Sequence, residues 1–179
     1  DLEIGTDGTI TTTTTTNSYV ASSDVFFDSD LDAVWDFIDR NGNGVFDPGE
    51  LAEPSSFTDA RGNANIFIGQ SFDANRSGRI EPSEGILVSL GGTMTGTTHS
   101  LDFPLRATLG ARVITPLTSL VTSLALDRRT STYAAHARVL AAFQLPAVEL
   151  LSFDPIAETI AGNQVGPAVL AAHKSLGIA

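Results

Sequence analysis

Apolar positions in the first two thirds of the chain come in short bursts set between Gly, Asp and Asn: Tyr19–Val20, Val25–Phe27, Ile66–Ile68, Ile86–Leu90, then Leu101, Phe103 and Leu105 in strict alternation. A period of two, or a brief continuous run bounded by turn residues, is what a strand buried on one or both faces requires. Residues 18–112 are therefore expected to form an antiparallel, sandwich-like β domain. After Val113 the spacing changes. Thr115 and Pro116 open a stretch in which Leu117, Leu120, Val121 and Leu124 make one apolar stripe, the pattern of a capped helix. Ser131 or Thr132 starts a second helix through Phe143, stopped by Pro146. Asp154 with Pro155 opens a short third closed by Gly162, and Pro167 opens a fourth closed by Gly177. Helices this short need tertiary burial, so residues 113–179 are expected as a small helical unit packed on the sheet, and the fold class as α+β.

Residues 1–17 follow neither pattern. Thr11 to Thr16 is β-branched and free of Pro, with strand preference but little to place in a core. It reads as a linker, an edge strand or a segment that pairs with another molecule. No tight turn ties it to the next apolar run, so a strand here is expected to lack a partner in its own chain and to be available to a neighbouring copy or module.

Between the bursts lie acidic loops with a fixed spacing. In DRNGNGVFDPGE, Asp39, Asn41 and Asn43 stand at positions 1, 3 and 5, Gly44 at 6, the Val45 carbonyl at 7, Asp47 at 9 and Glu50 at 12. This is the arrangement of the EF-hand calcium loop, in which six to eight oxygens must converge from a short segment and a Gly allows the sharp turn. The register recurs in DANRSGRIEPSE, with Asp73, Asn75, Ser77, Gly78, the Arg79 carbonyl, Glu81 and Glu84. A looser copy, DSDLDAVWDFID, places Asp28, Asp30, Asp32, the Val34 carbonyl, Asp36 and Asp39 in register, with Ala33 in the Gly position and Asp39 closing one loop while opening the next. The Cβ at Ala33 ranks this copy below the other two. The competing reading of all three is a solvated cluster of Asx turns.

The net charge of −11 is uneven: residues 1–89 carry 16 acids against 4 Arg, and residues 90–179 carry 5 acids against 6 bases. The acidity belongs to the loop half, and its field repels nucleic acid and anionic membrane. Cysteine is absent, so calcium loops are the obvious staple in place of disulfides. No run reaches membrane-spanning length and none has the form of a signal peptide, so a mature secreted protein or an excised module is expected, with an extracellular location.

A switching sensor needs helices on both sides of its loop and a Met-rich groove. Leu31 to Ile38 offers a short entering helix, but Pro54 and a polar stretch follow Glu50, and Met94 is the single methionine. Catalysis has less support: His99, His136 and His173 are scattered, and no zinc, phosphate-loop or nucleophile-elbow motif occurs. The expectation is a protein that is not an enzyme.

VFFD, then RNGNGVFDPGE, then EPSSFTDARGNANI resembles the repeated unit of large bacterial cell-surface proteins, the SdrD B-like modules, in which a strand runs into a calcium loop and then a turn. GGTMTG, ARVITPLTSLV and LSFDPIAE are similar to segments that follow such loops in giant adhesins and RTX-type surface proteins. The resemblance covers most of residues 20–175. It implies a secreted, non-catalytic module rigidified by Ca2+ that extends, adheres or assembles; taken with the Thr tract, the expectation is either a repeat of a surface adhesin or the subunit of a filament built by strand exchange. It places the calcium role on Asp39, Asn41, Asn43, Val45, Asp47 and Glu50. The chain departs from that pattern in the added Asp28–Asp39 region and in having a second full loop where a plain strand pair is usual. The alternatives are a dockerin-like recognition module, which needs a helix after each loop, and a secreted hydrolase with structural calcium, which needs convergent acids outside the loops.

Overall fold

The computed structural model describes residues 2–3, 9–14 and 19–176, the first two segments by their backbone. Among the described residues, thirteen strands and four α-helices make an α+β fold. The strands are β1 (Leu2–Glu3), β2 (Thr9–Thr14), β3 (Val20–Ala21), β4 (Asp24–Asp28), β5 (Phe37–Ile38), β6 (Leu51–Ala52) and β7 (Ser55–Phe57), then β8 (Asn63–Phe67), β9 (Arg79–Ile80), β10 (Ile86–Leu90), β11 (Thr93–Met94), β12 (Leu105–Ala107) and β13 (Val113–Ile114). They form a four-stranded sheet in the order β12-β10-β4-β7, a three-stranded sheet β13-β2-β8, and the two-stranded pairs β1-β9, β3-β11 and β5-β6.

The continuous apolar runs in β4 and β10 are buried on both faces. Val25, Phe27 and Leu87 join Leu105, Ala107, Ala64, Ile66 and Ile114 in a core shared by the two larger sheets. Phe26, Ile86 and Val88 point the other way and are covered by Leu31 and Leu126. Phe27 packs edge-on against Phe72, with ring centroids 5.1 Å apart. Each such fully buried side chain contributes about 1.5–3 kcal/mol, and with no disulfide among these elements that burial carries the fold.

All strand pairings among the described residues are antiparallel except one. β13 runs parallel to β2, with Val113 beside Thr13 and Ile114 beside Thr14, while β2 runs antiparallel to β8 from Thr9↔Phe67 to Thr13↔Asn63. The Thr strand expected to have no partner in its own chain therefore has two. Val113 and Ile114, expected at the head of the helical unit, complete a sheet begun by residue 9. Of the alternating Leu101, Phe103 and Leu105, only Leu105 enters a strand, because Pro104 interrupts the ladder.

The helices are α1 (Pro116–Arg128), α2 (Thr132–Ala142), α3 (Pro155–Ile160) and α4 (Val165–Ser175). Thr115 caps α1 in a reciprocal box with Thr118, Ser131 caps α2, and Asp154 caps α3 by accepting from the Ile156 and Ala157 N–H groups. α4 starts two residues before Pro167, which sits in its first turn, where a missing N–H costs nothing. Its expected stop at Gly177 lies outside the described residues. Thr118 Oγ1 donates to the Arg106 carbonyl at 3.0 Å and the Arg106 N–H to Ser119 Oγ at 2.8 Å, pinning α1 to β12. Leu117, Val121, Val139, Leu150 and Val169 fill a second core among the helices. Tyr19 Oη donates to Asp154 Oδ2 at 2.9 Å, joining the first part of the chain to the cap of α3.

Candidate metal centres

The loop from Asp39 to Glu50 is wired by its own acids. Asp39 Oδ1 accepts from the Gly42 N–H at 2.6 Å and its Oδ2 from the Gly44 N–H at 2.7 Å. Asn41 Oδ1 accepts from Asn43 N–H at 3.0 Å, and Asn43 Oδ1 from Val45 N–H at 2.7 Å. Glu50 closes the ring, taking the Arg40 N–H on Oε1 and the Asp47 N–H on Oε2, both at 2.9 Å. Gly42 and Gly44 sit at φ 74° and 72°, left-handed values that bring successive N–H groups inward. The Asp39 carboxyl is held below the usual range, chiefly by the Gly44 N–H.

Residues 73–84 repeat this. Asp73 Oδ2 accepts from Gly78 N–H at 2.7 Å, and Asn75 Oδ1 from Ser77 N–H at 2.8 Å. Glu84 takes the Asn75 N–H at 3.1 Å and the Glu81 N–H at 3.0 Å. Arg76 and Gly78 occupy the left-handed positions at φ 57° and 82°.

The copy beginning at Asp28 has the same wiring. Asp28 accepts from Leu31 N–H at 2.7 Å and Ala33 N–H at 3.0 Å, Asp30 from Asp32 N–H at 3.2 Å, and Asp32 from Val34 N–H at 2.6 Å. Leu31 and Ala33 stand at φ 72° and 66°, so the chain adopts the turn despite both Cβ atoms. The expected entering helix over Leu31 to Ile38 is absent: carboxylates claim the N–H groups of Leu31 to Val34 and of Asp36, and two positive φ values break any helical turn.

The acid that bonds across this loop to position 9 is not Asp39. Glu53 does it, accepting the Ser29 N–H and, at 2.8 Å, the Ser29 hydroxyl on Oε1, and the Asp36 N–H on Oε2 at 3.3 Å. Asp36 is position 9 here, as Asp47 and Glu81 are in the other loops. The whole of residues 39–50 lies between them, carried on the β5-β6 hairpin, in which Phe37 pairs with Ala52 and Ile38 with Leu51. Asp39 belongs to the second loop alone among these bonds. Sequence reading missed Glu53 because another loop lies between it and the residues it bonds. The signal that could have found it is the pair of apolar dipeptides, Phe37–Ile38 and Leu51–Ala52, flanking residues 39–50 on both sides.

Carboxylates converge most closely in this first loop. Oxygen atoms of Asp28, Asp30 and Glu53, and of Asp30, Asp32 and Asp36, lie within 4.8 Å of one another, so these clusters could hold a metal ion. Asp28 is 0 % exposed and Glu53 4 %. Burial pushes Asp28, Asp36 and Glu53 above the ordinary carboxylate range, with Asp30 and Asp32 adding to it at Asp28 and Asp36, while N–H groups from Ala33, Leu31 and Ser29 partly offset it. The other two loops are more exposed, and amides stand between their acids: Asn41 and Asn43 both donate to Asp47 Oδ2 at 2.7 Å, and Asn75 to Glu81 at 2.7 Å. The ranking expected from Gly in position 6 thus runs opposite to the gathering of charge. Of the carbonyls assigned by spacing, Arg79 accepts the Ser77 hydroxyl at 3.0 Å.

The histidines do not join these loops. His136 Nε2 accepts the Leu150 N–H at 3.1 Å, His173 is buried in the helical unit, and His99 is exposed. No helix among the described residues is long and apolar enough to cross a membrane. No protein-family model matches the chain, and no curated protein or solved structure matches it significantly.

Proposed function

We propose that this chain is a non-catalytic, extracellular structural or adhesion module stiffened by calcium through EF-hand-like loops, either a repeat of a large surface protein or the subunit of a filament. The observation that carries the reading is the common wiring of three loops. In each, the first acid takes the N–H of position 6, positions 4 and 6 are left-handed, and a closing glutamate takes the N–H of position 9. Hard oxygen donors presented on short, turn-rich segments suit Ca2+ better than softer metals. The loops sit in and between strands of the β body: β6 and β10 follow Glu50 and Glu84, where a dockerin or a sensor would need helices. A bound ion would therefore stiffen the body rather than swing a helix.

Residues Asp28, Asp30, Asp32, Asp36 and Glu53 would hold the first ion, and the loops at 39–50 and 73–84 further ones. Packed carboxylates repel until a cation joins them, so removal of calcium is expected to lower the melting temperature by on the order of tens of degrees. Scanning calorimetry of metal-free protein with calcium and with EGTA tests this, and superimposable curves would discard the reading.

A further inference from the structure

Asn41 and Asn43 are the two asparagines of the chain that are followed by Gly, and they stand at ligand positions 3 and 5 of the loop at 39–50. Asparagine is a thermolabile residue. It is most so before Gly, because a residue without a Cβ lets its backbone nitrogen reach the preceding side-chain carbon. The surroundings leave room for that approach: residues 41–44 are all exposed, and a Cβ at Gly42 or Gly44 would have no neighbour within 4 Å. What holds the reaction back is the wiring of the closed loop. The Gly42 and Gly44 nitrogens, the attacking atoms, point their hydrogens at Asp39, at 2.6 and 2.7 Å. Each Asn oxygen accepts the N–H two residues on, and both amide nitrogens donate to Asp47 Oδ2 at 2.7 Å. Nucleophile and carbonyl are each committed to other partners, so ring closure needs the loop to open into a near-attack geometry.

We infer that Asn41 and Asn43 form a calcium-gated deamidation site, an inference that rests on the reading of this loop as a calcium site and adds a regulation to it. Asp39, Asp47 and Glu50 repel one another without a cation and the loop opens; a bound ion keeps it shut. In the open loop the Gly nitrogen bonds to the Asn Cγ, its proton passes to water, and the side-chain amide leaves as ammonia, giving a succinimide ring. Water then opens the ring. Cleavage of the new bond leaves aspartate, a carboxylate in ligand register. Cleavage of the old peptide bond leaves isoaspartate, with the main chain running through Cγ and the residue out of register.

The two products act on the ion in opposite ways. Aspartate at both positions raises the acids of the loop from three to five and reproduces the Asp30 and Asp32 of the first loop. More ligand charge tightens calcium. The same change removes both amide bonds to Asp47, so the empty loop becomes harder to close. Isoaspartate removes a ligand outright. Either way the loop keeps an irreversible record of time spent without calcium. The matching loop at 73–84 supplies the comparison, since Asn75 is followed by Arg76, whose side chain crowds the approach.

The test incubates the full-length protein in EGTA, in calcium and in urea, then digests it and reads each Asn by mass spectrometry, with chromatography to separate aspartyl from isoaspartyl peptides. The expected result in EGTA is conversion at Asn41 and Asn43 well ahead of Asn75. Calcium at about ten times its dissociation constant should slow it about tenfold, because only the open loop reacts. Conversion of Asn75 at the same rate overturns the inference, since Gly then decides nothing. So does conversion at Asn41 and Asn43 in urea but not in EGTA, because the empty loop then stays shut. Equal rates in EGTA and calcium overturn it as well: with the calcium-dependent melting shift intact only the gate is lost, and without that shift the calcium reading goes too. A second arm puts the aspartyl product in place directly. The double variant Asn41→Asp, Asn43→Asp should melt below the native chain in EGTA and gain more from calcium; an equal or smaller gain overturns the inference.

Discussion

Glu53 and Asp36 hold each other twice: the Asp36 N–H donates to Glu53 Oε2 at 3.3 Å, and the Glu53 N–H donates to the Asp36 carbonyl at 3.0 Å. The first contact belongs to the acidic loop and the second to the hairpin that carries the next loop, so one residue serves both. Glu53→Gln would turn an amide donor toward the N–H groups of Ser29 or Asp36 and leave one buried without a partner. A loss of about 1–3 kcal/mol in calcium is expected, with one ion fewer in a calorimetric titration. Asp39→Asn is expected to weaken the second loop alone. If Asp39→Asn removes the first ion and Glu53→Gln does not, Asp39 closes the loop after all.

Acid should help the metal-free protein before it harms it. Asp28, Asp36 and Glu53 lie above the ordinary carboxylate range, so the folded form takes up protons at a higher pH than the unfolded chain does. Their contribution to stability is full below the unfolded values and is lost as pH rises through the folded ones. In EGTA, melting temperature is expected to increase from pH 7 to about pH 5, and Glu53→Gln should flatten that slope. Asp39 and Asp59, held low by N–H groups, oppose the trend only at more acidic pH. In saturating calcium the slope should reverse, because protons compete with the ion.

Ala33 carries the backbone angle that its two counterparts reach with glycine. Ala33→Gly is expected to stabilise the protein by about 0.5–1 kcal/mol, the left-handed penalty less the added freedom of the unfolded chain. Denaturant titration measures it. Leu31 has the same angle but packs on Phe26, Ile86 and Val88, so Leu31→Gly should destabilise instead.

At the other end of the pH scale, Tyr19 is pushed up to about 12 by burial, with the bond to Asp154 and its charge adding to it. The folded form keeps this proton longer than the unfolded chain. Stability from the contact is therefore full below pH 10 and lost as pH rises toward 12. Tyr19→Phe should lower stability near neutrality and remove that part of the alkaline decline in a melting series.

What the sequence revealed depended on how local each feature is. The loops at 39–50 and 73–84 keep all their groups within twelve residues, and the caps Thr115, Ser131 and Asp154 act within three, so both could be read directly. Glu53 could not, because its place is set by two ladder pairs, Phe37↔Ala52 and Ile38↔Leu51, too short to register as strands. Val34, Trp35 and Ile38 suggested a helix, but the Val34 and Asp36 N–H groups answer to carboxylates and Ile38 pairs with Leu51. The Thr tract hid its partners for the opposite reason: Asn63–Phe67 and Val113–Ile114 lie far along the chain, and nothing in a uniform run of Thr names them.

The insertion of residues 39–50 between Asp36 and Glu53 makes that loop a side branch on the β5-β6 stem, tied back to it by the edge-on contact of Phe46 with Phe37, ring centroids 5.5 Å apart. The frame around the first cluster is finished by the two rungs of β5 and β6, not by the segment beyond them. Residues 39–50 could be exchanged for a two-residue turn, a peptide tag or a different ion-binding loop while Glu53 kept its grip on Asp36. The chain thus offers a graft site with a boundary set by Ile38 and Leu51, where new surface chemistry would replace the Phe46–Phe37 contact and leave the two rungs of the stem in place.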